Sequence, residues 1–166
     1  MILFVMRHAQ AELRSGSNSD EERRITASGK ESAKRNLLLG KNLGLSVDYL
    51  ASSPLIRARE TSELVTQVLE IPRKAVIEPS LEPTSSPQEI YSMLAGIRPA
   101  PNGILIISHQ PLLGYLLSDL LGTDNESRIE MSTASIAKIM IRGEPRGGSG
   151  TLIWLVSDPQ KSSEHN

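Results

Sequence analysis

Arg7 and His8 stand side by side, directly after the apolar run from Ile2 to Met6. A short apolar run that includes Val and Ile is typical of a fully buried strand. A guanidinium and an imidazole at the end of such a strand can bind and attack an anionic group. A strand can also end in polar residues for structural reasons alone, so the other polar groups of the chain decide between the two interpretations.

Two further groups follow predicted strands in the same way. Arg57 lies in "SSPLIRA", in the first turn of a predicted helix, and His109 lies in "IISHQP", between a predicted strand and the next helix. Ligands of open α/β sheets bind outside the carboxyl ends of the strands, so we expect both groups to face the same crevice as Arg7 and His8. A helix that begins near Pro111 would add free backbone N–H groups and the positive end of its dipole.

Two guanidiniums, two imidazoles and a helix N-terminus form a cationic site, and the sequence identifies no carboxylate beside it. A dianionic phosphoryl group matches that charge, and arginine is suited to bidentate phosphate binding. One histidine can then act as the nucleophile and form a phosphohistidine intermediate, because nearby arginines keep it neutral. The second histidine and the arginines would stabilise charge on the transferred group.

A metal site is the main chemical alternative for the histidines. His8 and His109 supply only two ligands, which are too few for a zinc site. The third histidine, His165, lies in the polar C-terminal segment. The chain has no cysteine and no Gly-rich phosphate loop of the Walker type. We therefore expect an activity that needs neither a metal nor a cofactor.

The composition is that of one globular domain. The chain has 166 residues, of which 39% are hydrophobic and 22% charged. A net charge of −1 and only 3% aromatic residues argue against a nucleic-acid partner. The N-terminal apolar run is too short for a membrane span and lacks the h-region of a signal peptide. We expect a cytoplasmic protein without membrane or nucleic-acid partners.

Strand and helix patterns alternate along the chain and end in a hairpin. Strands are predicted at 2–6, 47–53, 75–78, 104–108, 135–142 and 151–156. Helices are predicted at 27–41 with Thr26 as the cap, at 53–71 with Ser53 as the cap, at 88–95 and at 111–121, and an exposed loop is predicted at 13–24. The turn "GEPRGGSG" is long enough for a hairpin but not for a parallel crossover. The fold class is therefore α/β, a three-layer sandwich with a mostly parallel sheet and one antiparallel strand. We expect one domain at 1–156 and a fraying polar tail at 157–166.

Three motifs resemble those of the histidine phosphatase superfamily, also called the phosphoglycerate mutase-like family. They are Arg7-His8-Ala9, the segment Ser53 to Thr61 that matches "SPxxRAxxT", and Ser108-His109. The resemblance covers nearly the whole chain, including the order of the strands. It implies that His8 is the phosphorylated nucleophile. It also implies that Arg7, Arg57 and His109 hold the phosphoryl group.

The resemblance is closest to the small SixA-type phosphohistidine phosphatases. The shared features are the short chain, a loop arginine before "LT", the "HQPLLGYL" helix and the "TASIAKI" strand residues. The loop arginine is Arg23 or Arg24 here, and the resemblance implies that Arg23 and Ser135 bind substrate. Ala9 departs from the usual glycine, and a methyl group is tolerated there unless the position needs a positive φ.

Glu82, in "SLEPT", is the residue nearest in sequence position to the acid/base glutamate of larger relatives. Glu82 is out of register, and it can equally be an exposed loop carboxylate. Cleavage of a phosphate ester calls for a proton donor, whereas the imidazole released from phosphohistidine can take a proton from solvent. The segment between Arg57 and His109 also has no room for a capping insertion, so the crevice can admit a protein side chain.

The expected function is that of a phosphohistidine phosphatase acting on phosphorylated proteins, such as His-containing phosphotransfer domains, through a phosphohistidine enzyme intermediate. One alternative is a phosphatase for small phosphate monoesters with Glu82 as the acid. Another is a phosphoprotein-binding module without catalysis. The pair of His8 and His109 argues against the binding module, because a binder needs the arginines but no nucleophile.

Overall fold

The computed structural model describes residues 1–13, 20–123 and 129–158. Six strands form one sheet: β1 (Ile2–Arg7), β2 (Tyr49–Ser52), β3 (Val76–Ile77), β4 (Gly103–Ser108), β5 (Ile136–Ile141) and β6 (Gly150–Val156). Four helices accompany it: α1 (Ala27–Asn42), α2 (Ile56–Val68), α3 (Pro87–Gly96) and α4 (Leu112–Leu120). Within the described residues, no helix has the length and hydrophobicity that crossing a bilayer requires.

The order of the strands across the sheet is β3-β2-β4-β1-β5-β6. The pairs β2–β3, β2–β4 and β1–β4 are parallel, whereas β5 runs antiparallel to both of its neighbours. The predicted fold class, a mostly parallel sheet with one antiparallel strand, is confirmed. Because β1 and β4 are adjacent and in register, Arg7 lies beside Ser108, and the chain leaves both strands at the same edge of the sheet.

The sheet separates two apolar cores, which makes the molecule a three-layer sandwich. Side chains alternate across β1, so Leu3 and Val5 pack on one face while Phe4 and Met6 pack on the other. The first face is covered by α3 and α4, and the second by α1 and α2. Both faces of β4 are buried along its whole length, which explains its uninterrupted apolar sequence.

The two helices on the second face begin differently. The hydroxyl of Thr26 accepts the N–H of Gly29 and caps α1, as predicted. Ser53 was expected to cap α2 in the same way, but that expectation is wrong: α2 begins at Ile56 without a side-chain cap. The Ser53 hydroxyl lies 2.8 Å from Nε2 of His109 instead, so it belongs to the crevice at the sheet edge.

The predicted loop at 13–24 contains a short 3-10 turn, Asp20–Glu22, and a second such turn spans Pro79–Leu81. The predicted fraying from residue 157 does not hold for Asp158, which is buried and accepts hydrogen bonds from Ser32 and Arg35. Residues 159–166 of the predicted tail lie outside the described residues. The domain range 1–156 stays a prediction.

Candidate active site

The carboxyl ends of β1, β2 and β4 open into a cavity of about 450 Å³. Its described lining contains the residues that the sequence predicted together, namely Arg7, His8, Arg23, Arg57 and His109, and also Gln10, Ala11, Leu13, Asp20, Pro83, Gln110 and Thr133. Parallel pairing of neighbouring strands brings groups from distant parts of the chain to one place. The expectation of a shared crevice is therefore met by the geometry.

His8 is held as a neutral imidazole with one nitrogen free to react. Its ring is 7% exposed, and Nδ1 lies 2.8 Å from the carbonyl oxygen of Ala9. A carbonyl can only accept, so Nδ1 carries the proton and Nε2 keeps its lone pair. Burial, and then the positive charges of Arg57 and Arg7, lower the pKa of His8 to about 3. The ring is consequently uncharged at neutral pH, with its single proton on Nδ1.

His109 stacks obliquely beside His8, with 4.9 Å between the ring centroids, and is 1% exposed. Its Nε2 lies 2.8 Å from the hydroxyl of Ser53, which itself accepts the N–H of Leu55 at 3.4 Å. A hydroxyl can donate to an imidazole nitrogen or accept from it; we infer that Ser53 donates to Nε2, which places the proton of His109 on Nδ1. That Nδ1 is buried and has no partner. Burial, and next the neighbouring His8, lower the pKa of His109 to about 2.

Arg7 and Arg57 both line the cavity, and each keeps a buried donor without a partner. Arg57 is 4% exposed, and its two terminal nitrogens donate to Asp20, one to the backbone carbonyl at 2.6 Å and one to the carboxylate at 2.9 Å. Arg7 donates from Nη1 to the carbonyl of Met131 at 2.7 Å. The Nε–H groups of both arginines are buried without a partner.

The buried donors without a partner are concentrated in residues of the active-site cavity. Among the described residues, five buried side-chain nitrogen or oxygen atoms lack a hydrogen-bond partner, and three of them are Nε of Arg7, Nε of Arg57 and Nδ1 of His109. Buried polar groups are normally satisfied, and an unsatisfied one costs about 1–3 kcal/mol. All three atoms belong to residues that line the cavity together with His8, and a cluster of buried cationic and imidazole groups of this kind suits the cavity to an anion with several acceptor oxygens.

The backbone around His8 is fixed by hydrogen bonds from two other elements. The N–H of Ala9 donates to the hydroxyl of Thr61 at 3.0 Å, and this hydroxyl donates to the carbonyl of Arg57 at 2.6 Å. On the other side, the N–H of Ala134 lies 3.1 Å from the carbonyl of His8. Thr61 therefore couples the end of β1 to the helix that carries Arg57.

Ala9 fits its position without strain. The non-glycine residues with positive φ in the described chain are Glu70 and Ala134, so Ala9 lies in the ordinary region of backbone conformation. Its methyl group is fully buried in the core on the α1 and α2 face. The replacement of the usual glycine leaves the loop geometry intact, as expected for a position without positive φ.

Asp20 is a carboxylate beside the cationic groups, one that the sequence did not identify. Its Oδ1 accepts from Nη1 of Arg23 at 2.8 Å and its Oδ2 from Nη2 of Arg57 at 2.9 Å. The hydrogen bond from Arg23, and then the charge of Arg57, lower the pKa of the Asp20 carboxyl. Arg23 also donates from Nε to the carbonyl of Glu12 at 2.6 Å. The segment around Asp20 has no apolar periodicity, so sequence patterns could not orient it.

Two predicted site residues lie outside the cavity wall. The Ser135 hydroxyl is buried and donates to the carbonyl of Ser132 at 2.6 Å, while the Ser135 carbonyl accepts the N–H of Arg7 at 3.1 Å. Ser135 thus supports the backbone of Arg7 in this structure. Glu82 lines a neighbouring cavity with Glu21 and Glu22, although Pro83, the next residue, lines the active-site cavity.

Three residues of the site were not predicted in their observed positions: Ser53, Thr61 and Asp20. Ser53 and Thr61 are the first and last residues of the "SPxxRAxxT" segment, so that motif carried a signal for them. In the described part of the chain, no three His, Asp, Glu or Cys side chains come together as a metal site would require.

Comparison with known proteins places this site in a family. The profile of the histidine phosphatase superfamily (branch 1) matches residues 3–82, which include Arg7, His8 and Arg57. The chain is 31% identical to the phosphohistidine phosphatase SixA homolog of Haemophilus influenzae over 151 residues, covering 86% of this chain and 90% of the relative. The chain belongs to the histidine phosphatase superfamily.

Other members of the superfamily match over almost their whole length. Phosphohistidine phosphatase SixA of Escherichia coli is 29% identical over 158 residues, which are 95% of this chain and 94% of that protein. A structure of the protein histidine phosphatase SixA complexed with tungstate matches with a TM-score of 0.81 and 29% identity, covering 95% of this chain and 97% of the other. The predicted resemblance to SixA-type proteins is confirmed.

Proposed function

We propose that this protein is a phosphohistidine phosphatase that hydrolyses phosphohistidine on a protein substrate through a phosphorylated His8. The observation that carries the proposal is the tautomer of His8. Its Nδ1–H is held by the Ala9 carbonyl, so Nε2 is an unprotonated nucleophile next to three unpartnered donors. The similarity to SixA-type relatives supports phosphohistidine as the substrate.

In the first step, Nε2 of His8 attacks phosphorus while the phosphoryl oxygens accept hydrogen bonds from Nε of Arg7, Nε of Arg57 and Nδ1 of His109. The electron pair of the breaking P–N bond remains on the imidazole of the substrate. That imidazole leaves as a neutral ring when its other nitrogen already carries a proton. The fixed donors stabilise the charge on the group in transfer without reorganisation.

In the second step, water attacks phosphorus on phosphorylated His8, and the electron pair of that P–N bond returns to Nε2. The Ala9 carbonyl holds the proton on Nδ1 throughout, so His8 regains its starting tautomer. Inorganic phosphate then leaves the cavity. No group of the site has to act as a strong acid, in keeping with the position of Glu82 in a neighbouring cavity.

The shape of the site supports a protein as the substrate, such as a His-containing phosphotransfer domain. Between Arg57 and His109 the chain forms only the rest of α2, the short strand β3, a 3-10 turn, α3 and β4. These elements add no subdomain above the cavity that would enclose a small metabolite. A cytoplasmic location, where phosphorylated signalling proteins occur, is part of the same proposal.

The test compares the purified protein on a phosphohistidine peptide and on a panel of sugar phosphates. We expect kcat/KM to be at least about a hundredfold higher on the phosphohistidine peptide. Ester cleavage without a general acid lacks the rate acceleration of about 10²–10⁴-fold that such an acid supplies. Higher activity on a sugar phosphate would assign the protein to ester hydrolysis. No turnover of any substrate, together with binding of the phosphopeptide, would assign it to phosphoprotein binding.

A further inference from the structure

The active-site cavity contains one carboxylate that takes no part in the transfer of phosphate to His8 as described above. Asp20 is the only acidic residue among the described residues that line this cavity. Its oxygens accept hydrogen bonds from Arg23 and Arg57, at 2.8 and 2.9 Å. A negative charge this close to a phosphate site weakens the binding of a dianion, so its presence calls for a function that offsets the repulsion.

Arg57 can serve Asp20 and a phosphoryl group at the same time. Asp20 occupies the two terminal nitrogens of the guanidinium, whereas Nε is buried and unpartnered. A phosphoryl group bound at Nε therefore leaves the contact with Asp20 in place. The carboxylate would then remain within a few ångströms of the bound substrate.

The position of Asp20 relative to solvent indicates which part of the substrate it meets. The side chain of Arg57 is 5% exposed, but that of Asp20 is 41% exposed. The phosphoryl group binds at the buried donors, so the group attached to phosphorus must extend outward. Asp20 is the more exposed partner of this ion pair, and we infer that it borders the path of the leaving group of a protein substrate.

We propose that Asp20 forms the subsite for the leaving group and accepts a hydrogen bond from the protonated imidazole ring of the phosphohistidine substrate. This inference rests on the proposed function. The ring nitrogen that does not carry the phosphoryl group donates to the carboxylate. Asp20 thereby selects substrates with a cationic leaving group over phosphate esters, whose leaving group carries no proton donor at that place.

The step is balanced without a further reactant. Nε2 of His8 forms the new N–P bond, and the old P–N bond breaks with its electron pair on the substrate nitrogen. The proton on the other ring nitrogen stays there, hydrogen-bonded to Asp20, and the imidazole leaves uncharged. Asp20 acts as an acceptor only and neither gains nor loses a proton.

The surroundings of Asp20 keep it in the form that this role requires. Arg23 and Arg57 hold the pKa of its carboxyl below the ordinary value, so it is ionised at neutral pH. An ionised carboxylate cannot protonate an alkoxide, and it therefore gives no help to an ester. It can accept a charge-assisted hydrogen bond from an imidazolium, which is among the stronger kinds.

The experiment measures kcat/KM of Asp20→Asn on a phosphohistidine peptide and on 4-nitrophenyl phosphate. Glu21→Gln is the matched control, since it removes one charge from the same turn at an exposed residue outside the cavity lining. We expect Asp20→Asn to lose about tenfold to hundredfold on the peptide, as for a hydrogen bond to a charged group. On the ester we expect a modest rise, because a repelling charge is gone. Glu21→Gln should change neither value by more than about twofold, as a surface charge does.

The outcomes separate this inference from the proposed function. An equal loss of kcat/KM on both substrates would show that Asp20 merely positions the arginines. An equal gain of kcat/KM would show that Asp20 merely competes with the substrate for Arg57. Either result overturns the inference and leaves the proposed function intact. A wild-type protein that cleaves the ester but not the peptide overturns both. Turnover of the ester by Asp20→Asn also serves as the check that the variant is folded.

Discussion

The active site has an inner part and an outer part, and the two are held in place by different forces. The inner part, formed by Arg7, His8 and His109, follows buried strands and is fixed by hydrogen bonds to the backbone and to Ser53. The outer part is formed by Asp20, on a 3-10 turn, and Arg23, which follows that turn; the two form a partly exposed ion pair, and Asp20 also pairs with the buried Arg57.

The difference between the two parts indicates which residues determine the rate of the reaction and which determine its selectivity. A partly exposed ion pair such as that of Arg23 and Asp20 contributes only about 0–1 kcal/mol to the free energy of unfolding, so the fold depends little on it. Arg7 ends β1, His8 follows it, and the N–H of His8 donates to the carbonyl of Ser108 at the end of β4, so the inner residues are tied to the ends of buried strands. We infer that the inner residues set the rate of phosphoryl transfer and the outer residues select the leaving group.

The largest effect of the three substitutions below is expected at Arg57, which connects the two parts: it lines the cavity with the inner residues and donates to Asp20. Arg57→Ala removes a donor to the transferred group, and such donors are typically worth about a hundredfold or more in kcat. The matched control is Arg59→Ala on the exposed side of the same helix. Steady-state kinetics on the phosphohistidine peptide check the prediction. Similar activity of the two variants would mean that Arg57 does not contact the substrate.

A smaller effect is expected at Ser53, which tests how the inner part is organised. Ser53→Ala removes the hydroxyl beside Nε2 of His109 and should lower kcat/KM by about tenfold, the value of one neutral hydrogen bond. The ¹⁵N chemical shifts of His109 should show a protonated Nδ1 in the wild type and a shift toward a protonated Nε2 in the variant. Ser52→Ala, whose hydroxyl bonds to the Ser53 carbonyl, is the control and should keep the wild-type shifts. A protonated Nε2 in the wild type would contradict this account of His109.

A still smaller effect is expected at Glu82, which lies outside both parts. Glu82→Gln should lower turnover of the phosphohistidine peptide by less than about tenfold, below the range of a general acid. The side chain lines a neighbouring cavity, and phosphohistidine needs no strong proton donor. His109→Ala is the comparison, since it should damage turnover of any substrate. A hundredfold loss with Glu82→Gln would bring Glu82 into the mechanism.

The buried histidines also predict how stability depends on pH. The pKa of His8 is lowered from 6.5 to about 3, so between these values the unfolded chain binds a proton that the folded protein does not. The free energy of unfolding should therefore decrease as pH falls from 6.5, by up to about 1.4 kcal/mol per pH unit for each such histidine. His109, whose pKa is also lowered, adds in the same direction.

Urea unfolding at pH 7.5 and at pH 5 measures this dependence. The double variant His8→Asn, His109→Asn should show a smaller loss of stability over the same interval, because asparagine does not titrate. Saturating inorganic phosphate should also reduce the loss in the wild type, since a bound anion favours the protonated rings. Equal pH dependence of wild type and double variant would contradict the lowered pKa values.

The sequence predicted the inner part well because buried strands leave a clear pattern. Apolar runs marked β1 and β4, and the rule that ligands bind at the carboxyl ends of parallel strands placed His8 and His109 together. The outer part was harder to predict, since the segment before Arg23 is polar and has no periodicity that could orient Asp20. Sequence patterns also do not determine which way a hydroxyl group points. The hydroxyl of Ser53 lies beside His109 instead of capping a helix, and that of Ser135 donates to Ser132 instead of facing the cavity.

The most direct test of the account is to trap the phosphorylated enzyme. Rapid acid-free quenching after mixing with a ³²P-labelled phosphohistidine peptide, followed by proteolysis and mass spectrometry, identifies the labelled residue. The account predicts an acid-labile, alkali-stable phosphate on His8, bound at Nε2, and no labelled enzyme with His8→Asn. Label on His109 or on a hydroxyl residue, or normal turnover by His8→Asn, would contradict it.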